Sequence, residues 1–227
     1  MELIKRILFE DNHIIIINKK PGELVQSDKT GDISLSDSIK NYLIIQKKKQ
    51  GSAYLGVVHR IDRPTSGVLV FAKTSKALTR LNEQFKLRLT KKIYWALVDK
   101  KFPKDCNNLS NWMTRNRKKN KSKAHLNKVP ESKFAQLNLK RIKEFEKYCL
   151  LEIELLSGRH HQIRAQLSCF GFPIQGDVKY GALRANKDKS ISLHSRFLSL
   201  SHPVTKKKLN FQALPMNTGI WKIVLYD

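Results

Sequence analysis

The run Val68-Leu69-Val70-Phe71-Ala72 is apolar without a break. Five residues fall far short of the roughly 20 that a membrane-spanning helix needs, and a short continuous apolar run reads as a buried strand. Directly before it stands His59-Arg60-Ile61-Asp62-Arg63-Pro64-Thr65-Ser66-Gly67. That stretch sets one carboxylate, Asp62, among two arginines and two hydroxyls. A carboxylate among cations is held in its charged form, and a charged carboxylate in a confined site can serve as a nucleophile. Taken alone, an aspartate in such a place is more often a structural turn or cap residue than a nucleophile. Both readings stay open at this point.

The rest of the pattern is irregular. Residues 3–9 and 13–18 read as short strands, with Glu10-Asp11-Asn12 as the turn. Residues 34–46 carry helical spacing in Leu35, Ile39 and Leu43, with Ser34 as N-cap and Asp37 three residues later. Lys47-Lys48-Lys49-Gln50-Gly51 closes that helix. Residues 75–89 predict a second helix capped by Ser75, with Leu78, Leu81, Phe85 and Leu89 on one face. Residues 92–98 alternate as a strand, with Tyr94, Ala96 and Val98 on one side. Strands over 134–140 and 149–156, a turn at 141–147, a helix over 162–168 and a final strand over 221–226 complete the pattern. The mix points to an α+β fold with a mostly antiparallel sheet, rather than a doubly wound one. No repeat or flexible linker interrupts the 227 residues, so a single domain over 1–227 is expected.

Charge narrows the partners. The chain holds 44 Lys and Arg against 19 Asp and Glu, a net charge of +25. Solvated lysine-rich surfaces would account for this, as would a polyanionic partner such as nucleic acid. Residues 114–128 contain Arg115, Arg117, Lys118, Lys119, Lys121, Lys123 and Lys128 and no acid. They read either as a solvated, flexible loop or as an arm that settles on a phosphate backbone. Three widely spaced cysteines without a CxxC pair argue against a disulfide framework or a zinc site, and fit a reducing cytoplasmic compartment. His160-His161 suggests a metal, but adjacent side chains diverge and no acid or Cys stands at ligand spacing. No metal is expected. Walker A, Rossmann-glycine and nucleophile-elbow patterns are absent.

Five stretches together resemble one family. His59-Arg60-Ile61-Asp62-Arg63-Pro64-Thr65-Ser66-Gly67 resembles the HRLDxxTSG motif of the RluA-type pseudouridine synthases, with Ile61 for the usual Leu. Lys92-Ile93-Tyr94-Trp95-Ala96 resembles that family's KxYxA strand. Gly158-Arg159-His160-His161-Gln162-Ile163-Arg164 resembles its GRTHQIR motif, with His160 in the Thr place, and Gln166 stands where many members have His. Gly176-Asp177-Val178-Lys179-Tyr180-Gly181 is similar to the GDxxYG turn, and Leu193-His194-Ser195-Arg196 with His202-Pro203 to the LHAxxL…HP segment. The motifs occur in family order over residues 10–225.

The resemblance implies a pseudouridine synthase fold and isomerisation of uridine to pseudouridine in rRNA or tRNA, without a cofactor or metal. It implies that Asp62 is the catalytic aspartate, that Arg164 pairs with it, and that Tyr94 stacks on uracil and serves proton transfer. Arg60 would fill the space vacated by the flipped base. Arg159, His161 and Gln162 would support the Arg164 loop or touch RNA, and the departures at His160 and Gln166 would bear on substrate contacts. Many members carry an N-terminal S4 domain. Only 58 residues precede His59, so this member is expected to lack one. It would grip RNA with the catalytic body, through Arg115, Arg117, Lys118 and Lys119. A cytoplasmic monomer with no membrane contact is expected. The alternative is an inactive basic RNA-binding protein on the same fold.

Overall fold

The computed structural model describes residues 2–28, 31–46 and 51–226. The Lys47-Lys48-Lys49-Gln50 run, expected to close the first helix, lies outside the described residues. In chain order the elements are β1 (Ile7–Glu10), β2 (Ile14–Lys19), α1 (Leu35–Gln46), β3 (Gly56–Val57), β4 (Ser66–Ala72), α2 (Ser75–Lys86) and β5 (Lys91–Asp99). There follow β6 (Asn108–Asn116), β7 (Lys121–His125), β8 (Lys133–Glu144), β9 (Tyr148–Leu155), α3 (Gln162–Cys169), β10 (Leu193–Ser201), β11 (Lys208–Gln212) and α4 (Lys222–Tyr226). The fold is α+β with mostly antiparallel strands, as expected. It divides into two compact units, Met1–Lys91 with Ser195–Leu214 and Lys92–His194 with Pro215–Asp227.

In the first unit β1, β2, β4 and β10 lie side by side, with β3 on β4 and β11 on β10. The apolar run from Val68 to Ala72 lies in β4, and all seven residues of that strand are buried. It pairs antiparallel with β2 from Ile14↔Ala72 to Lys19↔Gly67. One face of these strands packs Ile14, Ile16, Val68, Val70, Leu198 and Leu200 against Ala77 and Leu81 of α2. Burying such side chains removes them from water at about 1.5–3 kcal/mol each, which is what fixes β2 and β4 at the centre. Helix α1 starts as expected: Ser34 Oγ accepts from the Asp37 N–H and Asp37 Oδ2 accepts from the Ser34 N–H, a reciprocal cap. Three local expectations are corrected. The N-cap of α2 is Thr74, whose side chain accepts from the Ala77 N–H. That helix ends at Lys86, because Arg88 turns left-handed at φ 59°, so Leu89 is exposed rather than packed. The first strand begins at Ile7, after a 3-10 turn over Ile4–Arg6, where the Arg6 guanidinium is held by both Glu23 oxygens at 2.8 and 2.9 Å.

In the second unit the order is β5-β9-β8-β6-β7, every pair antiparallel. Residues 114–128, read as a loop, instead form most of a hairpin. Asn116 pairs with Lys121, Asn116 Oδ1 accepts from the Lys119 N–H at 2.9 Å, and Asn120 takes the left-handed conformation at φ 43° that Asn tolerates. Lysines hid the strand because they occupy its outward positions, while Ser122 and Ala124 face inward and are buried. Strand β8 runs on to Glu144 and shortens the expected 141–147 turn. The C-terminal strand expected over 221–226 is a 3-10 turn and the short helix α4. Trp221 packs on Leu97 and Leu150 there, with Ile223 and Val224 beside them. The β-branched pair suggested a strand, but packing decided for a helix.

Candidate active site

Asp62 sits in the first unit, half-buried, on the loop between β3 and β4. The loop is held at every step around it. Before Asp62, the His59 ring stacks on Phe85 at 4.6 Å and its Nε2 accepts from the Val70 N–H at 3.3 Å. Ile61 is buried at 7% exposure. After Asp62, its carbonyl accepts from the Thr65 N–H at 3.0 Å and closes a turn. The Arg63 carbonyl accepts from the Gly22 N–H at 2.7 Å. Arg63 itself reaches Asp32 at 2.8 Å and the Gly22 carbonyl at 3.0 Å. Arg60 is exposed.

Below this loop lies Lys19, fully buried. Its ammonium donates to the carbonyls of Thr65, Lys20 and Arg63 at 2.7, 2.9 and 3.1 Å. Burial lowers Lys19 to about 7, while Glu23 and Asp62 pull it back upward. The residue was not singled out from sequence. Its signal was periodicity: Ile15, Ile17 and Lys19 share one face of β2, so a lysine stands where an apolar residue belongs. Gly67, the second residue of β4, has φ 119°, and a Cβ there would meet the Ser195 carbonyl oxygen at 2.3 Å. Only glycine fits there.

Tyr94, Arg164 and the remaining candidates belong to the second unit. Tyr94 is buried on β5, opposite Ile153 of β9. Arg164 is buried on the first turns of α3. Its Nε and Nη2 donate to the two oxygens of Asp177 at 2.7 and 2.9 Å, and its guanidinium lies 4.9 Å from the Tyr180 ring centre. A carboxylate along one edge and a ring against the face leave the fork one orientation. Asp177 and Tyr180, present in the GDxxYG-like turn but given no role from sequence, are thus the groups that orient Arg164.

The loop leading into α3 is built by Gln162. This buried side chain accepts from Ser157 Oγ at 2.9 Å and the Arg159 N–H at 3.0 Å, and donates to the Gln136 carbonyl at 3.1 Å. It supports the loop. His161 takes the left-handed conformation at φ 51°. Its Nδ1 lies 2.9 Å from the Tyr180 hydroxyl, which also accepts from the Ser122 N–H at 2.9 Å. Burial, then Arg164 and other cations, lower His161 to about 2, so the ring stays neutral. Arg159 donates through Nε to the Phe134 carbonyl at 3.2 Å.

Arg115, Arg117, Lys118 and Lys119 are all exposed at the tip of the β6–β7 hairpin. That hairpin is tied to the α3 loop: His160 Nδ1 lies 2.8 Å from Ser122 Oγ and its Nε2 3.1 Å from Asn120 Oδ1. The basic segment is therefore anchored beside the Arg164 motif. Gln166 corrects a sequence expectation. It is 0% exposed and its amide nitrogen donates to Asn111 Oδ1 at 2.9 Å and the Leu109 carbonyl at 3.1 Å. It fastens α3 to β6 and leaves no surface of its own exposed.

Residues 13–169 match the RNA pseudouridylate synthase family profile. The chain is 33% identical over 211 residues to a ribosomal large subunit pseudouridine synthase C of Buchnera aphidicola subsp. Baizongia pistaciae, covering 89% of this chain and 64% of that protein. It is 32% identical over 201 residues to a ribosomal large subunit pseudouridine synthase D of Borreliella burgdorferi, covering 86% and 60%. The chain thus spans a little under two thirds of the length of these two curated relatives. Among solved structures, human RNA pseudouridylate synthase domain containing 4 is similar in fold, with a TM-score of 0.78 at 22% identity over 93% of this chain and 89% of that one.

Proposed function

Because the chain belongs to the RNA pseudouridylate synthase family, we propose that it isomerises uridine to pseudouridine in RNA, with Asp62 as the catalytic carboxylate. The observation that carries this reading is the family match over residues 13–169, which takes in Asp62, Tyr94 and Arg164, each in its own motif. In the reaction the bond from N1 to C1′ breaks, the uracil turns, and C5 bonds to C1′. The C5 proton is lost and N1 gains one, so substrate and product are isomers and nothing else is consumed.

Asp62 either attacks the reacting nucleoside or removes a ribose proton, and both roles require its charged form. The buried Lys19 below the loop fixes the backbone that follows Asp62. Tyr94 stacks on the uracil and hands on the late proton. Arg164, oriented by Asp177 and Tyr180, supplies the positive partner for Asp62. The target uridine leaves its stack at a cost of roughly a few kcal/mol, and Arg60 props the space it vacates. The named relatives act on the large ribosomal subunit, and we take ribosomal RNA as the substrate here.

Tritium release from RNA labelled at uridine C5 tests the reading. The wild-type chain should release tritium from large-subunit ribosomal RNA. Asp62→Asn should release none while binding RNA with unchanged affinity. Binding without release by the wild-type chain would overturn the enzyme reading in favour of an inactive RNA-binding protein.

A further inference from the structure

Residues 108–143 hold eleven Lys and Arg and a single acid, Glu131. Within this basic stretch β6, β7 and β8 turn an aromatic surface outward. Trp112 stands opposite both His125 of β7 and Phe134 of β8. The Trp112 and Phe134 rings meet edge to face, with centres 5.4 Å apart. Phe134 remains 45% exposed and Leu126, just beyond β7, 81% exposed. Lysines surround the patch. Lys128 Nζ lies 5.4 Å over the indole, Lys123 is exposed on β7 on the same face as Trp112, and the Arg159 guanidinium is fastened at the Phe134 carbonyl.

Exposed aromatics on a strongly cationic sheet face do not contribute to the core, which lies on the opposite side with Met113, Ala124 and Ala135. Their chemistry suits a nucleobase. Every base has a π-face that stacks on an aromatic ring, and the adjoining phosphates need cations at the rim. We propose that this face is a stacking platform for an unpaired segment of RNA, one base lying against Phe134 and Trp112 while Lys123 and Lys128 hold the flanking phosphates. Lys128 leaves the indole for a phosphate as the base arrives, a favourable exchange because stacking in this setting outweighs a solvated cation–π contact. The platform tolerates any base, since no hydrogen bond to a base edge is required of it. It rests on the reading that the partner is RNA, and it adds where and in what form an unpaired stretch is held.

The test uses the full chain and two fluorescein-labelled probes, a single-stranded octauridylate and an RNA duplex of the same length, read by anisotropy. Phe134→Leu and Trp112→Ala should each weaken the single strand about tenfold and leave the duplex unchanged, and Trp112→Phe should restore most of the loss. Lys123→Gln with Lys128→Gln should flatten the salt dependence. Phe134→Leu keeps an apolar side chain at a largely exposed site, so the fold is retained, and circular dichroism checks it. Single-strand affinity within twofold of wild type for both Phe134→Leu and Trp112→Ala overturns the platform, and so does a wild-type chain that does not bind the single strand. Tritium release keeps the two readings apart. Release that persists while Phe134→Leu binds normally defeats the platform alone. No release from any RNA, with Phe134-dependent binding, defeats the enzyme reading alone.

Discussion

The ammonium of Lys19 donates to the Thr65 carbonyl at 2.7 Å from a fully buried position. The carbonyls of Lys20 and Arg63 take its other protons. One side chain at the end of β2 therefore fixes the backbone three residues beyond Asp62. Lys19→Met should lower turnover by ten- to a hundredfold with little change in KM, because the groups that bind substrate are untouched. It should also destabilise the fold by about 2 kcal/mol, since buried carbonyls are deprived of charged donors. Single-turnover kinetics and urea unfolding check both, and unchanged turnover would show that the Asp62 loop holds itself.

Lys19 also gives stability a pH dependence. Burial lowers it from 10.5 to about 7 in the folded chain. Between those values the unfolded chain carries a proton that the folded chain has released, so this group makes stability rise with pH from about 7 to about 10.5. Unfolding at pH 6.5, 8 and 9.5 should show that wild type gains relative to Lys19→Met along the series. A constant difference would place the lysine proton in the folded state throughout.

His161 acts in the same direction at lower pH. Its folded value is about 2 against 6.5, so its contribution is complete above about 6.5 and is lost as pH falls toward 2. Wild type should therefore lose stability on acidification faster than His161→Gln. Melting curves at pH 7, 5.5 and 4.5 measure this, and parallel losses would mean that His161 charges freely in the folded chain.

Arg164 and Asp177 are a buried pair, 4% and 1% exposed. Asp177→Asn takes away the carboxylate charge that holds Arg164 Nε and Nη2 and should cost about 3–5 kcal/mol. In a double-mutant cycle with Arg164→Met the two changes should be far from additive. Additive losses by denaturant titration would show that each side chain is satisfied elsewhere.

The hairpin tip should carry much of the salt dependence of RNA binding. Replacing Arg115, Arg117, Lys118 and Lys119 together by Gln should reduce the slope of log affinity against log salt by up to ~0.7–0.9 for each phosphate no longer neutralised. An unchanged slope would make the tip a solvated turn.

Much of the fold was legible where one physical pattern dominated. Val68 to Phe71 had to be buried, and the reciprocal cap at Ser34 and Asp37 followed from spacing. Legibility failed where tertiary packing outweighed local preference. Lysines on the outward positions of β7 masked a strand whose inward Ser122 and Ala124 are buried. Ile223 and Val224 favoured a strand, yet the surface offered by Leu97 and Leu150 accepts a helix. Gln166 looked like a substrate residue because it departs from a family position, but its side chain is fully buried and its amide nitrogen is held by Asn111 and the Leu109 carbonyl.

The sequence by itself determined the α+β class, the buried strand behind the Asp62 loop, and the identity of the motif residues, because each is written in local order and spacing. Only the tertiary structure decided what holds them. Lys19 under the Asp62 loop, Asp177 and Tyr180 around Arg164, and the basic hairpin fastened to His160 all join residues well separated along the chain, from 13 positions for Arg164 with Asp177 to 46 for Lys19 with Thr65. Such pairings are set by which buried polar groups find partners once the core has closed, and that choice is made in space rather than along the chain.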